Sequence, residues 1–137
     1  MNDPTFVQEY NAVLDVLYKY VEGGVKADSS IMKPSFSEQA TIFCADNEGK
    51  LAGGPIQGLF DIIDTVVKPA PNSKPAVVRI DIVGTAASAR VDLHDRLGFR
   101  FTDFFNLLKI EGKWTIINKV FHVQSSAQPP TEILKSK

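Results

Sequence analysis

A chain of 137 residues has room for one domain around one core, and 44% apolar with 23% charged residues is ordinary for a globular protein. Basic residues number 15 against 16 acidic, with no long run of one sign, which excludes the basic stripe that nucleic-acid binding requires. No stretch approaches the roughly 20 apolar residues that span a bilayer.

The opening Met1-Asn2-Asp3-Pro4 lacks the basic and apolar regions of a secretory signal. The single cysteine, Cys44, excludes an internal disulfide and fits a reducing compartment. The expectation is a cytoplasmic protein without nucleic-acid or membrane partners.

Asp3 and Pro4 suit the cap and first position of a helix carrying Phe6, Tyr10, Val13, Leu17 and Tyr20 at helical spacing, with Val7, Leu14 and Val21 widening the stripe. Gly23-Gly24 is expected to stop it. A second, short helix follows Asp28-Ser29 and uses Ile31, Met32 and Phe36, bent by Pro34. Ala40 to Ala45 is a strand, Asn47-Glu48-Gly49 a turn, and Lys50 to Ala52 a brief second strand. Gly53-Gly54-Pro55 opens a third helix with Ile56, Leu59, Phe60, Ile63 and Val67 on one face.

Beyond the proline-containing loop 68–74 the pattern changes to strands. Val78, Ile80 and Ile82 alternate with Arg79 and Asp81, and Ala87, Ala89, Val91 and Leu93 alternate with Ser88, Arg90, Asp92 and His94. Two further strands cover 99–109 and 113–123. Helices first and a strand meander afterwards give an α+β layer, not a wound βαβ sheet. A curved antiparallel sheet with the N-terminal helices closing its concave face would leave a pocket between them. Residues 1–124 are expected to form this domain, and 125–137 a polar surface tail.

The last hairpin is the most informative stretch. Ile110-Glu111-Gly112 suits a three-residue loop ending in a left-handed glycine. That loop would pair Phe105 with Ile117, Asp103 with Lys119 and Phe101 with Phe121. One face would then carry Phe99, Phe101, Asp103, Phe105, Leu107, Ile117, Lys119, Phe121 and Val123. The other would carry Phe104, Trp114, Ile116 and His122 among polar residues, a surface suited to a homodimer interface. Asp103 and Lys119 stand among phenylalanines, where charge is costly to desolvate unless paired or used. They are therefore read either as a structural ion pair or as the polar groups of an apolar ligand pocket.

On these residues the chain resembles the putative lumazine-binding family of the nuclear transport factor two-like superfamily. The resemblance rests on Tyr20-Val21-Glu22-Gly23, on Phe36 with Ala40, and on the stretches Phe101 to Lys109 and Gly112 to Phe121. It covers roughly residues 4 to 123 and implies a cone-like, cystatin-like fold, a deep pocket and a dimer through the convex sheet face.

Ketosteroid isomerase, a distant member of that superfamily, supplies a chemical comparison. The resemblance places Tyr20 and Asp103 as its two oxyanion donors, the aspartic acid being held neutral. Counted from Phe36, its catalytic carboxylate position holds Cys44, with Asp46 the nearest acid on the strand. Lys119 would also favour a charged Asp103, which accepts hydrogen bonds and supplies none. Isomerase activity is not expected.

Tyr20, Cys44, Asp46, Phe101, Asp103, Phe105, Ile117, Lys119 and Phe121 are thus the candidate ligand-binding residues. Cys44 also fits a small buried hydrophobe, and Tyr20 a stripe residue. His94 and His122 show no metal-ligand spacing, so no metal or cofactor is expected. The leading expectation is a binding protein for a small hydrophobic or aromatic ligand. The alternatives are an isomerase, dehydratase or cyclase, or a dimerising module whose pocket is filled by its own side chains.

Overall fold

The computed structural model describes residues 4–96 and 98–124. The elements run α1 (Phe6–Lys26), α2 (Ser29–Met32), a 3-10 turn (Lys33–Ser35), β1 (Phe36–Ala45), β2 (Leu51–Pro55), α3 (Gln57–Thr65), β3 (Lys74–Val83), β4 (Ala86–Arg96), β5 (Phe99–Ile110) and β6 (Lys113–Val123). The six strands form one curved sheet in the order β2-β1-β6-β5-β4-β3. Neighbours are antiparallel except β1 and β6, which are parallel. The α+β expectation holds. The expected tail, 125–137, lies outside the described residues.

Helix α1 is capped by Thr5, not by Asp3, which lies outside the described residues. The Thr5 hydroxyl accepts from the Gln8 N–H and the Gln8 side chain accepts from the Thr5 N–H, a reciprocal box that satisfies two orphan donors. Gly23-Gly24 does not stop the helix, which continues to a left-handed cap at Ala27. The glycines serve packing instead. A methyl group at Gly23 would lie 2.9 Å from Met32 Cβ, and one at Gly24 would lie 2.7 Å from Arg96 Nη1. Val13, Leu17, Tyr20 and Val21 form the buried stripe that lies across the inner face of the sheet.

Short α2 and the Pro34-containing turn match the expectation, except that Phe36 belongs to β1, which begins there and not at Ala40. Asp64 of α3 clamps α2 by accepting from the Ser29 N–H and hydroxyl at 2.8 and 2.6 Å. Strand β2 extends through Gly53-Gly54-Pro55, which pair with Phe43, Ile42 and Thr41 instead of opening a helix. A side chain at Gly53 would place its Cβ 2.0 Å from the Ile42 carbonyl oxygen, so only glycine permits this close pairing.

The β5–β6 hairpin corrects the expected register. Its turn has two residues, Glu111 and Gly112, both at positive φ (50° and 79°), so Ile110 pairs with Lys113. This puts Trp114 and Ile116 on the inner face, where Ile116 opposes Leu107 and both side chains are buried. A bulge at Ile117 then shifts the register by one, and Lys119, Phe121 and Val123 also face inward. Asp103 and Lys119 share a face as expected but are not paired. Asp103 opposes Phe121, and Lys119 opposes Phe105.

Trp114 and Ile116 are therefore core residues and not interface residues. The Trp114 indole N–H reaches Glu9 of α1 at 3.4 Å, and Lys109 donates to both oxygens of the same carboxylate. That cluster ties the start of α1 to the hairpin and gives the buried indole its partner. Phe104 and His122 remain on the outer face, where the structure leaves both exposed.

Candidate functional site

The inner face grades along the strands. At the hairpin end, Val13, Leu17, Leu107, Trp114 and Ile116 are packed apolar core. Midway come Tyr20, Phe105 and Lys119, and beyond them Asp103, Phe121 and Phe101. Phe101 and Phe121 are half-buried, whereas Asp103 has no exposed surface and Lys119 is 5% exposed.

Tyr20 sits at the centre. Its ring packs edge-on against Phe105 and Phe36 at 4.9 and 6.1 Å between centroids. Its hydroxyl donates to Asp103 Oδ2 at 2.6 Å and accepts from Lys119 Nζ at 2.6 Å. The ammonium also lies 5.1 Å from the centroid of the Phe121 ring, a cation–π contact that offsets part of its lost hydration. Asp103 Oδ1 is 3.8 Å from Lys119 Nζ, an ion-pair distance too long for a hydrogen bond. That oxygen is buried with no hydrogen-bond partner among the described residues.

Burial, together with the Asp103 carboxylate, pushes the Tyr20 hydroxyl well above its usual value. Burial pulls Lys119 down, against the opposing pull of Asp103. Tyrosine is thus the neutral relay between an ammonium and a carboxylate. Its proton is engaged by Asp103, which corrects the reading of Tyr20 as an oxyanion donor. The donors that remain are the N–H groups of Lys119, which carries three protons and gives one to the Tyr20 oxygen.

The other candidates are more scattered. Cys44 faces inward on β1, two residues beyond Ile42, which pairs with Lys119. Burial and then Asp46 push its thiol up, so it is protonated at neutral pH and is no base. Asp46 lies past the end of β1 and organises the turn, its Oδ1 accepting from the N–H groups of Glu48 and Lys50 at 2.9 Å each. Ile117 is the bulged residue, half-buried and outside the ladder. Among the described residues no three His, Cys, Asp or Glu side chains converge as metal ligands would.

Sequence reasoning missed one residue here. Arg96, at the end of β4, rests its guanidinium against Gly24, one helical turn from Tyr20 on the same face of α1. Its charge is felt at both Tyr20 and Lys119. The signal for it was Gly24, a helix-interior glycine that invites the question of what fills its space.

Residues 8–122 match the model of the family described as putative lumazine-binding. The chain belongs to this family. Among solved structures it is similar to an NTF2-like protein of unknown function from Shewanella baltica OS155. That likeness has 64% identity and a TM-score of 0.88, covering 90% of this chain and 100% of the other. A second, from Methylobacillus flagellatus KT, has 39% identity and a TM-score of 0.81, covering 91% and 99%. The fold is thus nuclear transport factor two-like. Among curated proteins the chain is 32% identical over 118 residues to the aldolase FrzH of Cladobotryum sp., covering 83% of this chain and 90% of that protein. No helix among the described residues is long and apolar enough to cross a membrane.

Proposed function

We propose that the protein binds a small, largely apolar molecule on the inner face of its sheet, with the Lys119–Tyr20–Asp103 chain as the polar end of the site. The observation that carries this reading is the fully buried Asp103 Oδ1, which has no donor among the described residues. A carboxylate oxygen stripped of water and left unbonded costs on the order of 1–3 kcal/mol. A ligand hydroxyl or N–H would recover that cost, while Phe101, Phe105 and Phe121 supply apolar contact. Membership of a family described as putative lumazine-binding supports the same reading. Mass spectrometry of protein purified from its host, under native and then denaturing conditions, tests it. A released small molecule is expected, bound by the wild type and lost from Asp103→Asn. Protein carrying no adduct and binding no aromatic probe would refute it.

A second reading, aldol-type chemistry on a carbonyl ligand, is favoured by Lys119 itself. Its buried ammonium, with a lowered pKa, hands a hydrogen bond to a tyrosine in turn bonded to a carboxylate. Such a chain can polarise a carbonyl oxygen and exchange a proton with it. The 32% identity to an aldolase supports it.

The proposed assembly is a homodimer through the outer sheet face. Leu51, Phe104 and Val120 are exposed there. They line an open groove of about 490 Å³ together with Phe43, Ala45 and His122. An apolar patch of this kind on a sheet face is an association site, and a second copy of the chain presents the same patch.

A further inference from the structure

Among the described side chains, the inner face holds an unbalanced charge around Tyr20. The groups there are Lys119 from β6, Asp103 from β5, Tyr20 from α1, Cys44 from β1 and Arg96 from β4. Tyr20 and Cys44 are neutral at physiological pH, since burial raises both. Among the described side chains, two cations therefore meet one carboxylate. Asp103 is engaged by Tyr20 and faces Lys119, whereas Arg96 makes no hydrogen bond or ion pair among the described residues. Two other carboxylates are engaged elsewhere. Asp92 is held by Arg90 through Nε and Nη2 at 3.0 and 3.1 Å and by Thr102. Asp64 is engaged by Ser29.

Arg96 is nonetheless placed. The room for its guanidinium exists because residue 24 lacks a side chain, and a methyl there would lie within 2.7–3.4 Å of three guanidinium atoms. Glycine in a helix interior costs about 1 kcal/mol relative to alanine. Here that cost leaves a half-buried guanidinium with its donors unused one turn from Tyr20. A planar fork of that kind matches a carboxylate with two parallel hydrogen bonds.

We propose that Arg96, with Lys119, forms an anion subsite at the Phe101–Phe121 end of the inner face, so that the ligand is an apolar molecule bearing a carboxylate or comparable anionic oxygen. This rests on the small-molecule reading above and adds the ligand's charge to it. The anion neutralises the surplus positive charge, while a hydroxyl or N–H of the same ligand serves Asp103 Oδ1. Gly24 is a positioning residue that keeps the guanidinium in place.

A matched pair of probes tests the subsite: sodium 6-hydroxy-2-naphthoate and the neutral 6-hydroxy-2-acetonaphthone, whose shared hydroxyl can serve Asp103 Oδ1, titrated calorimetrically. The wild type is expected to bind both, the naphthoate more tightly. Arg96→Gln should weaken naphthoate by about tenfold, as loss of a charge-assisted hydrogen bond does, and leave the ketone within about twofold. Gly24→Ala keeps the charge and displaces it, so it should reproduce the selective loss even if Arg96→Gln fails to fold. Arg100→Gln, on the exposed outer side, should change neither. Naphthoate affinity unchanged in both Arg96→Gln and Gly24→Ala, or an equal loss for both probes, would overturn the anion subsite and leave the binding reading standing. Binding of neither probe to the wild type would sink the binding reading, and the subsite with it.

Discussion

Tyr20 and Asp103, 83 residues apart in sequence, meet at 2.6 Å beneath α1, and the same tyrosine oxygen receives the Lys119 ammonium. This one hydroxyl separates two buried charges that lie 3.8 Å apart at their nearest atoms. Buried pairs of this kind contribute little net stability when complete, but removing a partner is expensive.

Tyr20→Phe isolates that hydroxyl, since the ring contacts with Phe105 and Phe36 are retained. It leaves both Asp103 oxygens without a hydrogen-bond donor and removes the acceptor of Lys119. We expect urea unfolding to show a loss of about 3 kcal/mol. Tyr18→Phe, on the exposed side of the helix, should cost under about 0.5 kcal/mol. Equal losses would mean that the relay is structurally idle.

The alkaline limb of stability carries the sign of the relay. Lys119 has a folded pKa below its unfolded value of about 10.4, so between those two values the unfolded chain binds more protons and stability rises with pH. Tyr20 has a folded pKa above its unfolded value of about 10, so beyond that pH the unfolded chain ionises first and stability falls. Cys44, whose thiol burial also raises, adds a fall of its own above pH ~8.5. In a Cys44→Ala background, denaturant midpoints followed from pH ~8 to ~11 should therefore rise and then fall. Adding Lys119→Met should abolish the rise and keep the fall. A Cys44→Ala profile that falls throughout would contradict the direction assigned to Lys119.

Much of the architecture was legible in the sequence because its signals are local. The helical stripe from Val13 to Val21 and the alternation in β3 to β6 need no tertiary information. The register of the last hairpin was not legible. Glu111 accepts a positive φ that its residue type disfavours, so the two-residue turn did not announce itself. The adjacent pair Ile116-Ile117 was the trace of the bulge, since two consecutive apolar residues break an alternating strand. Trp114 was misplaced for that reason, while Asp103 and Lys119 stayed on one face because the short turn and the bulge compensate. Arg96 was out of reach, because Gly24 signals that something fills its space without naming the partner in another element.

Gly53 tests the close pairing of β2 with β1. Its φ of 128° and the 2.0 Å that would separate an added methyl from the Ile42 carbonyl oxygen leave no room for alanine. Gly53→Ala should destabilise by more than about 3 kcal/mol, against about 1 kcal/mol for Gly49→Ala, whose added methyl meets open space. Thermal unfolding of the two variants side by side checks this, and similar midpoints would contradict it.

The outer face predicts assembly. Sedimentation at micromolar concentration should give about twice the 15.1 kDa chain mass, from an interface of at least about 1,000 Å² in total. Phe104→Glu should return the protein to monomer while leaving its fold unchanged by circular dichroism. A wild type sedimenting at the mass of one chain would rule the dimer out.

The most direct test of ligand binding on the inner face is an amide and methyl chemical-shift map during titration with 6-hydroxy-2-acetonaphthone. Tyr20, Asp103, Phe105 and Lys119 are expected to shift together and saturate at one affinity, which Tyr20→Phe should weaken. Shifts confined to Phe43, Leu51, Val120 and His122 would place binding in the outer groove instead and contradict the assignment of Lys119, Tyr20 and Asp103 as its polar end.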